Sequence, residues 1–225
     1  MHLILIILTV IVSVCSSPAA DFSWKAGVAQ TKITPEGAYW MGGYASRTKP
    51  SEGTDLDLRA KVLALQDASG AQTVFVTLDL LVVTPEISQG VLAGAKARYG
   101  LAPANVLLNC SHTHCGPELR LYRETLHNIP KGLAIKMGDY VKWLNNRLID
   151  LIGQSLKNLQ PARLTASSDK ATFAINRREN RGEELVKRAE EGMLKGPVDH
   201  HVPVLRVELR VVDARDKTMA ILFGY

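Results

Sequence analysis

Two histidines one residue apart, His112 and His114, carry the richest chemistry in this 225-residue chain. They lie in Asn105–Glu118, NVLLNCSHTHCGPE, where the apolar run Val106-Leu107-Leu108 delivers a polar cluster. Pro103 precedes the run and Gly116-Pro117 closes it, which predicts a buried strand ending in a turn. On an extended backbone, alternate side chains project to one side, so His112 and His114 share a face with Cys110, and Cys115 does not. Neutral imidazole is a common zinc ligand, and two on one face can hold a metal. Two polar loop histidines would read the same way. Cys110 and Cys115 could bridge as a disulfide or stay as thiols; spacing alone leaves both open.

Elements on either side must position this cluster. Trp24–Ile33 predicts a strand, stopped by Thr34-Pro35, and Trp40-Met41-Gly42-Gly43-Tyr44 a glycine-rich turn that permits close approach of a ligand or another strand. Leu58–Leu65 and Thr73–Leu80 predict a hairpin turning at Asp67–Gly70. Asp79, late in the second of these strands, needs a partner, and a structural role is the favoured one. A helix over Glu86–Tyr99, opened by Pro85, leads into the histidine strand.

Leu119–Lys131 is irregular and polar, suited to covering a pocket, and His127 within it is expected to be exposed. Val141, Leu144, Leu148, Ile152, Leu156 and Leu159 recur at helical spacing over about Asp139–Leu159. Short strands are expected at Arg163–Ser168 and Ala171–Ile175, and a charged, solvated segment with a helical turn at 178–196. From Val202, Leu205, Val207, Leu209 and Val211 alternate with charged residues, predicting a strand with one buried face. Thr218–Tyr225 begins another. The fold class is α/β, with mixed sheets, hairpins and flanking helices.

Residues 1–20 differ in kind. Leu3–Val14 is almost wholly apolar and Ser17-Pro18-Ala19-Ala20 supplies small residues, the pattern of a secretory signal peptide. The run is short for a membrane span. Export, to a secreted or periplasmic location, is the expectation, with one incomplete domain over 21–225, since the sequence stops inside the apolar run ending at Tyr225. A net charge of +5 without a Lys/Arg block argues against nucleic acid and is compatible with peripheral contact at an anionic membrane surface.

Four groups of residues together resemble the N-terminal catalytic part of the neutral/alkaline, non-lysosomal ceramidases and their bacterial relatives. They are Ala26-Gly27-Val28-Ala29 with Ile33-Thr34-Pro35 and Met41–Tyr44; Thr77-Leu78-Asp79-Leu80; Ser111–Pro117, SHTHCGP; and Ile175-Asn176-Arg177 with Val198-Asp199 before Val204-Leu205. The third is the most specific, although Cys115 stands where the family usually has serine. The resemblance implies a zinc enzyme that hydrolyses the N-acyl amide of ceramide to sphingosine and fatty acid. It places a zinc-binding histidine on His112, a catalytic histidine on His114 and an essential arginine on Arg177, with Arg178 as the alternative register. It expects the other zinc ligands beyond Tyr225, so that this chain alone is inactive; His200 and His201 are weaker substitutes.

Other metal hydrolases also use His-x-His after a strand. A metallo-β-lactamase type expects Asp and His where this chain has Gly116 and Pro117, and the hairpins do not suit an amidohydrolase barrel. An exported, non-catalytic surface or lipid-binding protein is the reading from another class.

Overall fold

A computed structural model describes residues 23–123, 128–182, 184–210 and 216–224. The expected signal peptide, His127 and Tyr225 lie outside the described residues. The strands are β1 (Trp24–Lys32), β2 (Arg59–Gln66), β3 (Gln72–Leu78), β4 (Val106–Cys110), β5 (Gln160–Lys170), β6 (His201–Leu209) and β7 (Lys217–Phe223). The helices are α1 (Pro85–Tyr99), α2 (Lys131–Lys157) and α3 (Leu185–Glu190).

The strands form one sheet in the order β4-β3-β2-β1-β5-β6-β7. Each neighbouring pair is antiparallel except β3 and β4, whose parallel pairing requires a crossover. That crossover is α1. Pro85 sits at its start, where a missing N–H costs nothing, and Gly100 closes it at φ 71°, its N–H donating to Lys96 O.

β2 reads RAKVLALQ because both its faces are covered. Val62 and Ala64 join Val74, Val76 and Leu78 under Ile87 and Val91 of α1 and Leu144, Leu148 and Ile152 of α2. Leu63 and Leu65 point to the other face, with Ala26, Ala162 and Val207, and Trp24, Phe75 and Met219 pack against them. The sheet therefore coils until β7 lies across the second face, enclosing an open apolar cavity of about 470 Å³ between Val28, Leu63 and Phe75 on one side and Met219 and Ile221 on the other. The helices approach β1 closely at Gly27, where an added Cβ would lie 2.1 Å from Ser155 O.

Three expectations need correction. α2 begins at Lys131, eight residues before the periodic pattern, because the N-terminal turns pack Met137 against Trp40 and Ile129. β5 is one continuous strand to Lys170, and 171–175 is not a strand; nine rungs to β6, from Ala162–Leu209 to Lys170–His201, hold it extended. β6 buries Glu208 on the face opposite to Val207, where Arg163 and Arg206 pair with it at 3.0 and 2.6 Å. Residues 185–190 form the helical turn expected in the charged segment.

The ends of β1, β2, β3 and β4 that carry Lys32, Arg59, Leu78 and Cys110 lie side by side by register, and the histidine loop leaves from that end. Asp79 has the structural role: its Oδ2 accepts from Arg59 N, and its own N–H donates to Arg59 O.

Candidate active site

β4 is an edge strand rather than a buried one. Val106 is covered by α1 and the β3 side chains, while Leu107 is 51% exposed. After Cys110 the backbone leaves the extended region. Ser111 N–H still donates to Leu78 O, but His112 adopts φ 55°, a left-handed conformation that costs a non-glycine residue about 1–2 kcal/mol. Strain of this kind persists where surrounding contacts over-determine it. The alternation argument thus fails in its geometry, yet its outcome holds. The rings of His112 and His114 lie 5.3 Å apart, inclined at 64°.

His112 Nδ1 lies 2.9 Å from Leu81 O, and the Cys110 thiol reaches the same carbonyl at 3.5 Å. A carbonyl can only accept, so Nδ1 carries a proton, and in the neutral imidazole the lone pair is then on Nε2 of an exposed residue. An imidazole tied back through one nitrogen and open at the other is the arrangement metal-binding histidines adopt. Cys110 and Cys115 are both free thiols.

His114 is half-buried and held from a different side. The Tyr44 ring packs edge-on against it, centroids 4.6 Å apart. Gly43, at φ 103°, passes so close that a Cβ there would lie 2.4 Å from His114 Cγ. The glycine turn thus makes its close approach to a side chain of the histidine loop. The two loops are also stitched through their backbones: Gly42 N–H donates to Gly116 O, Met41 bridges Pro117, and Glu118 N–H donates to Trp40 O.

Glu118, the nearest carboxylate in sequence, is 1% exposed and fully engaged. It accepts from the N–H groups of Leu119 and Arg120 and takes the Arg120 guanidinium through both oxygens. Burial pushes its carboxyl up, but the hydrogen bonds and charge of Arg120 outweigh that and hold it below the ordinary glutamate range. It pins the loop. Ser111, Thr113 and Cys115 of the same loop line an open cavity of about 550 Å³, shared with Thr34, Asp57 and Asp79.

Arg177 and Arg178 are exposed on the connection from β5 to α3. Asn176 shapes that connection, accepting from the N–H groups of Arg178 and Glu179 and donating to Pro197 O. None of the contacts among the described residues joins Arg177 to either histidine. His200 Nδ1 lies 3.1 Å from Ala171 O, and His201 pairs with Asp199 at 3.1 Å. No group of three or more His, Cys, Asp or Glu side chains among the described residues is placed to hold a metal. Tyr44 and Arg47 complete the surroundings of His114; Gly42-Gly43 marked the former, and no local signal marked the latter.

The family model for the N-terminal domain of neutral/alkaline non-lysosomal ceramidases matches residues 24–223. The chain belongs to this ceramidase family. It is 29% identical over 204 residues to neutral ceramidase A of Dictyostelium discoideum, covering 84% of this chain and 26% of that protein. Over 118 residues it is 32% identical to the neutral ceramidase of Pseudomonas aeruginosa, covering 50% of this chain and 18% of the relative. Two solved structures share the fold at 90% coverage of this chain and 31% of theirs: a ceramidase complexed with C2, at TM-score 0.66 and 24% identity, and neutral ceramidase from P. aeruginosa, at 0.65 and 23%. This ceramidase-family chain thus spans a third or less of the relatives it matches.

Proposed function

We propose that this chain carries part of the active site of a zinc-dependent hydrolase that cleaves the N-acyl amide of ceramide-like lipids into a sphingoid base and a fatty acid. The observation that carries the reading is the pair of neighbouring imidazoles at the loop after β4, in a chain that belongs to the ceramidase family. His112 would hold the zinc through Nε2, with the other ligands supplied by residues outside those described here. Bound zinc supplies Lewis acidity toward the amide carbonyl and a water of lowered pKa, about 7.

The chain's own residues then have separable tasks. Leu81 O fixes the tautomer that leaves His112 Nε2 free. His114, 5.3 Å from His112, delivers a proton to the amide nitrogen as the C–N bond breaks. Arg177 offsets developing negative charge or orients the polar end of the substrate. Export through residues 1–20 belongs to the same reading and puts the enzyme where it meets lipid from a membrane surface.

The test is turnover of a fluorescent ceramide by the full-length protein, before and after exhaustive chelation and after zinc is restored. Loss on chelation and recovery with zinc support the reading. Turnover that persists in protein proven metal-free overturns it.

A further inference from the structure

We infer that Arg47 is the positioning residue for His114, fixing the imidazole by gripping its backbone from the glycine loop; this rests on the role proposed above for His114. Arg47 Nη2 donates to His114 O at 2.7 Å, while Nη1 lies 3.4 Å from Met41 Sδ. Its guanidinium carbon stands 5.3 Å from the centre of the Tyr44 ring, and that ring is the one packed against His114. The contacts close a circuit: from the His114 carbonyl through Arg47 and Tyr44 back to the His114 ring. One side chain therefore constrains both the peptide and, through an aromatic relay, the imidazole.

Three features single out this arginine. First, its side-chain contacts among the described residues go to the glycine loop and the histidine loop, and none is an ion pair. It is not one of the surface cations paired for solubility. Second, its Nε is buried without a hydrogen-bond partner. A donor buried unsatisfied is destabilising, so the pose is maintained by the fork of Nη1 and Nη2 and by the cation–π contact with Tyr44. Third, the segment it grips follows His112, whose backbone is left-handed at φ 55°, and an unsupported segment there could relax. Lysine has one rotatable ammonium and cannot span Met41 and His114 while keeping that cation–π contact, so the planar fork is what the site uses.

The test compares full-length Arg47→Met, Arg47→Lys and Lys49→Met, the last an exposed control. Two readouts are taken well below each variant's unfolding temperature: amide hydrolysis, and the ring-proton shifts of His114, assigned with His114→Gln in histidine-labelled protein. In the wild type, Tyr44 gives the His114 ring a ring-current displacement. Arg47→Met is expected to collapse that displacement and to lower kcat about 10–100-fold with KM within about two-fold, as expected for misplacement of a reacting group. Arg47→Lys falls between, and Lys49→Met matches wild type. Unchanged His114 shifts and kcat in Arg47→Met overturn the inference. A proportional rise in KM at constant kcat also overturns it, by assigning Arg47 to substrate binding. If wild type fails to cleave ceramide yet the shifts respond to Arg47→Met, the functional reading falls and the positioning stands. If Arg47→Met does not fold, Arg47→Lys decides on the same two readouts.

Discussion

Replacing Gly43 by alanine tests the geometry of the site most directly. Two costs arise. The residue sits at φ 103°, where an L side chain is strained by about 1–2 kcal/mol. The new methyl would also lie 2.4 Å from His114 Cγ and 2.7 Å from its Nδ1. Carbon atoms rest at about 3.5–4.0 Å, so the imidazole must retreat by about 1 Å or the loop must open. Overpacking of this size costs about 1–3 kcal/mol, giving about 2–5 kcal/mol in all. Gly70→Ala separates the two terms, since Gly70 has φ 89° and nothing within 4 Å of an added Cβ. Urea unfolding of both variants should show Gly43→Ala exceeding Gly70→Ala by the clash alone. Ceramide turnover should fall about 100-fold in Gly43→Ala and stay unchanged in Gly70→Ala. Equal destabilisation with full turnover in both would refute the close approach of the two loops and the need for a fixed His114.

Other perturbations probe other parts of the structure. His112→Ala is expected to abolish both bound zinc, measured by elemental analysis of the full-length protein, and turnover, while His127→Ala retains turnover. Glu118→Gln should lose about 2–4 kcal/mol at pH 7, because it leaves the half-buried Arg120 without its carboxylate. The folded carboxyl titrates below its unfolded value near 4.3, so its stabilisation is complete above that pH and fades as pH falls through the folded value. The urea midpoints of wild type and Glu118→Gln should therefore draw together as the pH falls from the unfolded value through the lower folded one. Gly27→Ala places a methyl 2.1 Å from Ser155 O and within 2.9 Å of Leu159 N, all backbone of the α2 end. About 3 kcal/mol or more should be lost, read as a lowered Tm with turnover per folded molecule retained.

Local chemistry explains which parts of this architecture could be read in advance. Asp67–Gly70 between two apolar runs carries a hairpin signal within a dozen residues, and Pro85 with Gly100 brackets α1. His112 and His114 stand out because two imidazoles so close together suggest metal chemistry. What escaped depends on partners distant in sequence. The first turns of α2 carry Gly132 and Gly138, and packing of Met137 and Leu133 with Trp40 and Ile129 stabilises them as helix. Ala171–Ile175 has strand-like composition, but the rungs to β6 end at Lys170. Arg47 meets His114 across 67 positions, so no periodicity announces it. The strand hypothesis placed the two rings together by alternation, whereas the left-handed turn at His112 and the recess at Gly43 place them.

The sheet is narrowest where β5 joins β1. Only Trp24–Ala162, Lys25–Pro161 and Ala26–Gln160 connect them, against eight rungs between β1 and β2 and nine between β5 and β6. A ladder that short is a weak seam between two strongly knit panels. Proteins open along such seams in cooperative units. Side chains packed across the join, Leu63 and Leu65 with Ala162 and Val207, supplement those three rungs in holding the β5–β7 panel to the histidine panel. A shift along that seam would move Arg177, on the connection after β5, relative to the histidine pair at the far margin of the sheet.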